Sequence, residues 1–248
     1  MFDLGQPWRI WHALVFWNPH SVMFEVAWCV MLYTLVLALE FSPIVFERLR
    51  LERPRRLLKV MTTPLVIAGV LLSTLHQSSL GSLYLIVPSK LHPLWYTPLL
   101  PLLFFVSAIG AGIGMVIIES YLSQRAFGRH LEVDLLEPLG RAMVVVLLVY
   151  GVLRFITIRQ NGALQALGEP GYEAWMFLIE VGMGVILPIG ILLSERVRSS
   201  QRGLVAAGFL SVLGFVMNRL NVSVTGMEGA AGVRYFPSWM EITVSVGI

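Results

Sequence analysis

One cysteine, Cys29, stands among 248 residues, so the chain holds no disulfide of its own and no cysteine set for a zinc or iron–sulfur site. Charge is scarce as well. Asp, Glu, Lys and Arg make up 13% of the residues, against roughly 25% in soluble domains. There is no glycine-rich phosphate loop, and no serine or cysteine nucleophile beside an evident base. These shortages exclude a soluble enzyme core and a disulfide-stapled module, and nothing points to a nucleic-acid partner. What fills the chain instead is apolar: 56% of residues are hydrophobic and the mean hydropathy is +0.76. Such a chain belongs in a membrane.

Apolar runs fall at about 21–43, 59–80, 98–120, 138–158, 173–194 and 203–222. Each is close to the ~20 residues that cross a bilayer as a helix. The expected fold is therefore all-α, a polytopic transmembrane bundle with six complete spans in a single integral membrane domain over residues 1–248. A seventh apolar run opens at Glu241 and reads as a truncated span, so the chain is expected to be a piece of a longer protein. Pro19, Pro43, Pro54, Pro98, Pro138, Pro170 and Pro237 mark run ends, while Pro64, Pro101 and Pro188 should mark first turns or kinks.

Arg48, Arg50, Arg53, Arg55, Arg56, Lys59, Arg125, Arg129, Arg141, Arg196, Arg198 and Arg202 gather in alternate loops, which makes those loops cytoplasmic. The stretch from Arg48 to Lys59 is first a topology signal and second a contact for anionic membrane lipid. The outer loops, 81–97 and 222–238, and the start of the last run carry Tyr84, Trp95, Tyr96, Tyr235 and Trp239, interfacial anchors by type.

Against this background the ionisable groups inside the runs stand out: Glu25, His76, Glu119, Arg154, Glu180 and Arg219. Each costs about 2.5–3.5 kcal/mol in a bilayer even on mild insertion scales, so a passive anchor has no use for them. His76 is followed by Gln77, Ser78 and Ser79 where the second helix leaves the hydrocarbon. That cluster is either a self-satisfied helix end or a donor set for a quinone carbonyl, with His76 also passing on the proton. Haem ligation is the third option. It needs a second inward histidine, and His12, His20, His92 and His130 fall in loops or at interfaces. Glu25 reads either as a partner for a buried arginine such as Arg154 or Arg219, or as a proton carrier between quinone and water. Tyr150 precedes Arg154 by one turn, within reach of a shared ligand. Glu119 extends a proton route toward the cytoplasm, and Gly110 and Gly114 form a small-residue pair for helix packing. A faint echo links Met23-Phe24-Glu25-Val26 with Met176-Phe177-Leu178-Ile179-Glu180-Val181.

Several stretches resemble one family: Leu75 to Leu83, Lys90 to Leu102, Asn18 to Glu25, Ala38 to Phe41 and Tyr235 to Trp239. They look like the NrfD/polysulfide-reductase membrane-subunit family, and within it most like the HybB-type integral subunit of periplasmically oriented nickel–iron hydrogenases. The resemblance implies a haem-free subunit of the bacterial inner membrane, with no haem or iron–sulfur cluster of its own. It would exchange electrons between menaquinone or ubiquinone and a ferredoxin-like iron–sulfur subunit on the periplasmic face, next to hydrogenase or other oxidoreductase catalytic subunits. It places Glu25, His76 and Glu119 in quinone chemistry and proton passage. His76, Gln77, Ser78, Tyr150 and Arg154 are the residues expected to bind the quinone. If Glu119 draws protons from the cytoplasm, turnover couples to proton translocation. A proton or solute transporter, and a purely structural anchor, are the alternatives that would also bury carboxylates in a bundle.

Overall fold

In hydrocarbon a backbone can satisfy its own polar groups over a single segment only as a helix. The computed structural model, which describes residues 9, 11–128, 133–168, 171–232, 238–241 and 243, is accordingly helical, with no strand among the described residues. Six helices are long and apolar enough to cross a membrane: Val22–Arg48, Glu52–Ile86, Leu100–Phe127, Leu135–Gln160, Tyr172–Leu193 and Gln201–Ala231. They are the first to sixth spans below. Most of the expected seventh run lies outside the described residues, as do Tyr235, His130 and Arg129.

The spans overrun the apolar runs because charged ends stay helical while reaching out to the headgroups. The basic stretch from Arg53 to Lys59, expected as a loop, forms the first turns of the second span. Pro54 sits in its first turn, where a missing N–H breaks no helical bond. Pro43 lies inside the first span, which runs on to Arg48. Pro101 occupies a first turn, as expected. Phe41, Ile44, Val60, Phe155, Trp175 and Leu193 are each more than half exposed, the pattern of surfaces that meet lipid.

The chain falls into two compact units, one of residues 1–86 with 100–108, the other of 87–99 with 109–248. In the first unit the opening two spans lie antiparallel, joined by a tight turn in which Arg50 takes a left-handed φ of 57°. Gly69 faces Val36 across their seam. Near the outer end, Gly81 lets the helix backbone approach that of Leu100 and Pro101, where a Cβ would meet Pro101 Cα at 2.6 Å. Trp17, Phe24 and Trp28 cluster at the same end, with centroids 4.8–5.9 Å apart.

In the second unit small residues bring helix backbones together. A Cβ at Gly114 would stand 3.0 Å from the Gly208 carbonyl, and one at Gly110 would meet the Phe215 ring at 2.9 Å. Both therefore pack on the sixth span, as the small-residue pair predicts, while Gly112 faces open space. Gly184 and Gly214 make an equivalent backbone contact between the fifth and sixth spans. At the basic ends, Arg141 and Arg198 converge on Glu137, at 2.7 and 3.5 Å.

Candidate functional site

In the first unit the chemistry sits at the outer end of the seam between the first two spans. Glu25 falls in the first turn of its helix, where the dipole favours a carboxylate. Its Oε1 accepts a hydrogen bond from the buried Ser79 hydroxyl at 2.6 Å. Glu25 itself is exposed at this end, so one face of the carboxyl stays open. Ser79 also lies beside the Cys29 thiol. His76 precedes Ser79 by three residues, hence on the same helix face. Its Nδ1 is buried and has no hydrogen-bond partner among the described residues. A buried ring nitrogen left unpaired costs free energy unless something completes it. The seam thus offers an unsatisfied imidazole nitrogen close to a carboxyl that reaches the surface. Gln77 and Ser78 flank His76 and are half-buried.

The second unit holds a separate polar cluster around Glu180. Glu180 Oε2 accepts from Trp95 Nε1 at 2.9 Å and from Asn221 Nδ2 at 2.8 Å, and Oε1 accepts from Asn218 Nδ2 at 2.6 Å. Arg154 Nη2 stands 3.6 Å from Oε1, an ion pair with both side chains under 5% exposed. The Arg154 guanidinium lies 5.0 Å from the centre of the Phe177 ring, and its Nε and Nη2 have no hydrogen-bond partner among the described residues. Tyr150 is buried one turn away, edge-on to Phe215. Arg219 donates to the Asn218 side-chain oxygen at 3.0 Å. Arg154 therefore takes Glu180 as its acidic partner, the alternative to the Glu25 pairing considered from sequence.

Two wide π-helical turns, Gly182–Ile186 and Asn221–Thr225, adjoin this cluster. Each inserts one residue and so rotates the remainder of its helix by about 100°. Pro188 explains the first turn. In a regular helix its ring would strike the Gly184 carbonyl, and the wide turn relieves that clash. The second turn begins at Asn221, whose amide bonds Glu180 and the Met176 carbonyl.

Sequence reasoning missed Ser79 as the partner of Glu25, and missed Asn218 and Asn221 entirely. Their three-residue spacing inside an apolar run was the available signal. Trp95, expected at the membrane interface, is instead fully buried. An indole can serve either place, and here its N–H reaches Glu180. Glu119 belongs to the second unit, is exposed, and makes no hydrogen bond or ion pair among the described residues.

The outer segment carrying Trp95 is held down by His92. The His92 backbone N–H donates to the Gly226 carbonyl at 2.8 Å, and its Nδ1 accepts from Leu94 N–H at 3.3 Å. Burial holds the His92 imidazole below its ordinary 6.5, with Glu173 pulling the other way. A histidine with a lowered folded value favours the folded state while neutral. Its contribution is present above pH 6.5 and is lost as pH falls below that through the lowered value. Thermal stability in detergent should accordingly decline between about pH 7.5 and about pH 5.5, and His92→Gln should flatten that decline. An unchanged slope in the variant would show that other groups carry it.

The family model for polysulphide reductase, NrfD, matches residues 1–228. A protein of Nitratidesulfovibrio vulgaris is 41% identical over the whole of this chain, which covers 66% of that protein. The probable Ni/Fe-hydrogenase 2 b-type cytochrome subunit of Escherichia coli is 34% identical over 99% of this chain and 64% of its own length. The menaquinone reductase integral membrane subunit of N. vulgaris is 27% identical over 100% of the chain and 66% of its own length. The chain thus spans just under two thirds of the length of these curated relatives.

Proposed function

The chain belongs to the NrfD family and is a multi-pass inner-membrane protein, and from that premise we propose that it is the quinone-reactive subunit of a respiratory oxidoreductase. In this reading it is haem-free and exchanges electrons between menaquinone or ubiquinone and a ferredoxin-like iron–sulfur subunit on the periplasmic face. Its assembly is a hydrogenase or a related enzyme. Two relatives carry names of that kind, a menaquinone reductase subunit and a hydrogenase subunit. The hydrogenase relative's name includes a b-type cytochrome. The haem-free reading here rests on the histidines: among the described residues His76 alone lies inside a span, and a bis-histidine haem takes two.

The observation that carries the reading is the unpartnered, buried Nδ1 of His76 one helical turn from the Ser79–Glu25 hydrogen bond. Reducing a quinone takes two electrons and two protons. The electrons come from the iron–sulfur partner. His76 donates a hydrogen bond to one carbonyl oxygen, and Glu25, open to the outer surface, exchanges protons with water. Glu119 is the group through which protons would be drawn from the cytoplasmic side.

Binding of a quinone analogue to the purified full-length complex tests this. His76→Ala should weaken binding at least about tenfold, the worth of one buried hydrogen bond of about 1.4 kcal/mol. Equal binding by variant and wild type would remove His76 from the site, and no binding by either would favour a transporter or an anchor.

A further inference from the structure

The first two spans do not close on each other along their whole length. Inward of the Glu25–Ser79 contact the seam opens into a groove of about 360 Å³, walled by Tyr33, Leu37, Val66, Gly69, Val70 and Ser73. Gly69 supplies the floor: it is buried, and a Cβ there would find only Val36 at 3.5 Å and Glu40 at 3.8 Å. Leu37, Val66 and Val70 are 43%, 48% and 60% exposed, so the walls open sideways on the surface that meets lipid. The Thr74 hydroxyl turns back onto its own helix, donating to the Val70 and Leu71 carbonyls, which leaves that wall apolar. From Val66 to Ser73 the groove runs roughly 10 Å along the helix, and Ser73 precedes His76 by three residues, on the same face.

An apolar track open to lipid therefore leads up to the unpaired nitrogen of His76. Carboxylates bound it at both ends, Glu40 on the inner side and Glu25 on the outer. A phospholipid lying in the groove would bring its phosphate to one of these, and like charges make that occupant unfavourable in either leaflet. A molecule with an uncharged, oxygen-bearing head and a long hydrocarbon tail meets no such penalty. Resting on the reading that the quinone ring sits at His76, we propose that the groove between the first two spans holds the isoprenoid tail of the quinone and guides it in from the bilayer.

The tail gains little hydrophobic free energy by leaving lipid for a helix seam, so the groove acts by shape. Filling it should penalise tailed quinones and spare tailless ones. Gly69→Leu occupies the floor. Val70→Phe narrows the groove from an exposed rim position, where helix packing is not at stake. Affinity is measured on the full complex for a tailless naphthoquinone and for menaquinone with a long isoprenoid tail. Both variants are expected to lose at least about tenfold in affinity for the tailed quinone and to bind the tailless ring as wild type does. Equal affinity of wild type and variants for the tailed quinone would overturn the assignment, and so would equal loss of both ligands. Glu40→Gln should leave the tail preference unchanged; abolition of binding would instead make the groove a site for a polar head. If wild type binds tailed quinone but not the tailless ring, even at high concentration, the ring site at His76 is wrong and the tail assignment falls with it.

Discussion

Replacing Glu180 by leucine is expected to cost about 3–5 kcal/mol of stability, read as a lowered unfolding midpoint in detergent. Hydrogen bonds inside membrane proteins average only about 0.6 kcal/mol each, so the three from Trp95, Asn218 and Asn221 account for roughly 2 kcal/mol. The remainder is the stranded Arg154 guanidinium, buried at 4% side-chain exposure and already short of partners at Nε and Nη2. Arg154→Met should cost less, because Glu180 would keep its three neutral donors. Joining the two substitutions should recover most of the loss, since replacing both members of a buried pair with apolar groups is often neutral. Glutamine at 180 is no escape. Both carboxylate oxygens accept, so an amide of either orientation points its NH₂ at a donor. A Glu180→Gln protein as stable as wild type would show that the carboxylate charge holds nothing in place.

Glu180 also marks where sequence reading stops. That the chain crosses the membrane as helices, and how many times, was legible because hydrocarbon leaves no other option to a long apolar run. Span ends were not, since Arg53 to Lys59 are polar by composition and helical by continuity. Glu25 and Glu180 stand out equally as charges in apolar runs and even share a local echo. Their surroundings differ: one donor and an open face for Glu25, three neutral donors and a buried arginine for Glu180. Those surroundings come from residues far away in the chain. The Trp95 side chain reaches Glu180 only because its loop folds back over the last span. The π-helical turns at Gly182 and Asn221 are hidden for a related reason, as a single inserted residue hardly disturbs a hydropathy profile yet redirects every side chain beyond it. The candidate quinone residues were legible as a type, an imidazole beside hydroxyls at a helix end. The missing piece was that Ser79, rather than His76, would grip Glu25.

Glu25→Gln in the full complex should slow quinone turnover about 100-fold while leaving quinone affinity nearly unchanged. The glutamine carbonyl can still accept the Ser79 hydroxyl where Oε1 now does, at 2.6 Å, so the seam between the spans stays as it is. The favourable first-turn charge is lost, but at about 0.3–1 kcal/mol that is a minor effect on stability. What the amide cannot do is take up and release a proton, so the deficit should fall on turnover and not on affinity. Ser79→Ala supplies the complementary result. It keeps the carboxyl and removes its one hydrogen-bond donor, so proton exchange continues from a less well-placed group and the loss should be the smaller of the two. A Glu25→Gln enzyme that turns over as wild type would mean that protons leave the quinone by another route. An affinity that fell as far as turnover would mean that Glu25 holds the ring instead of serving it.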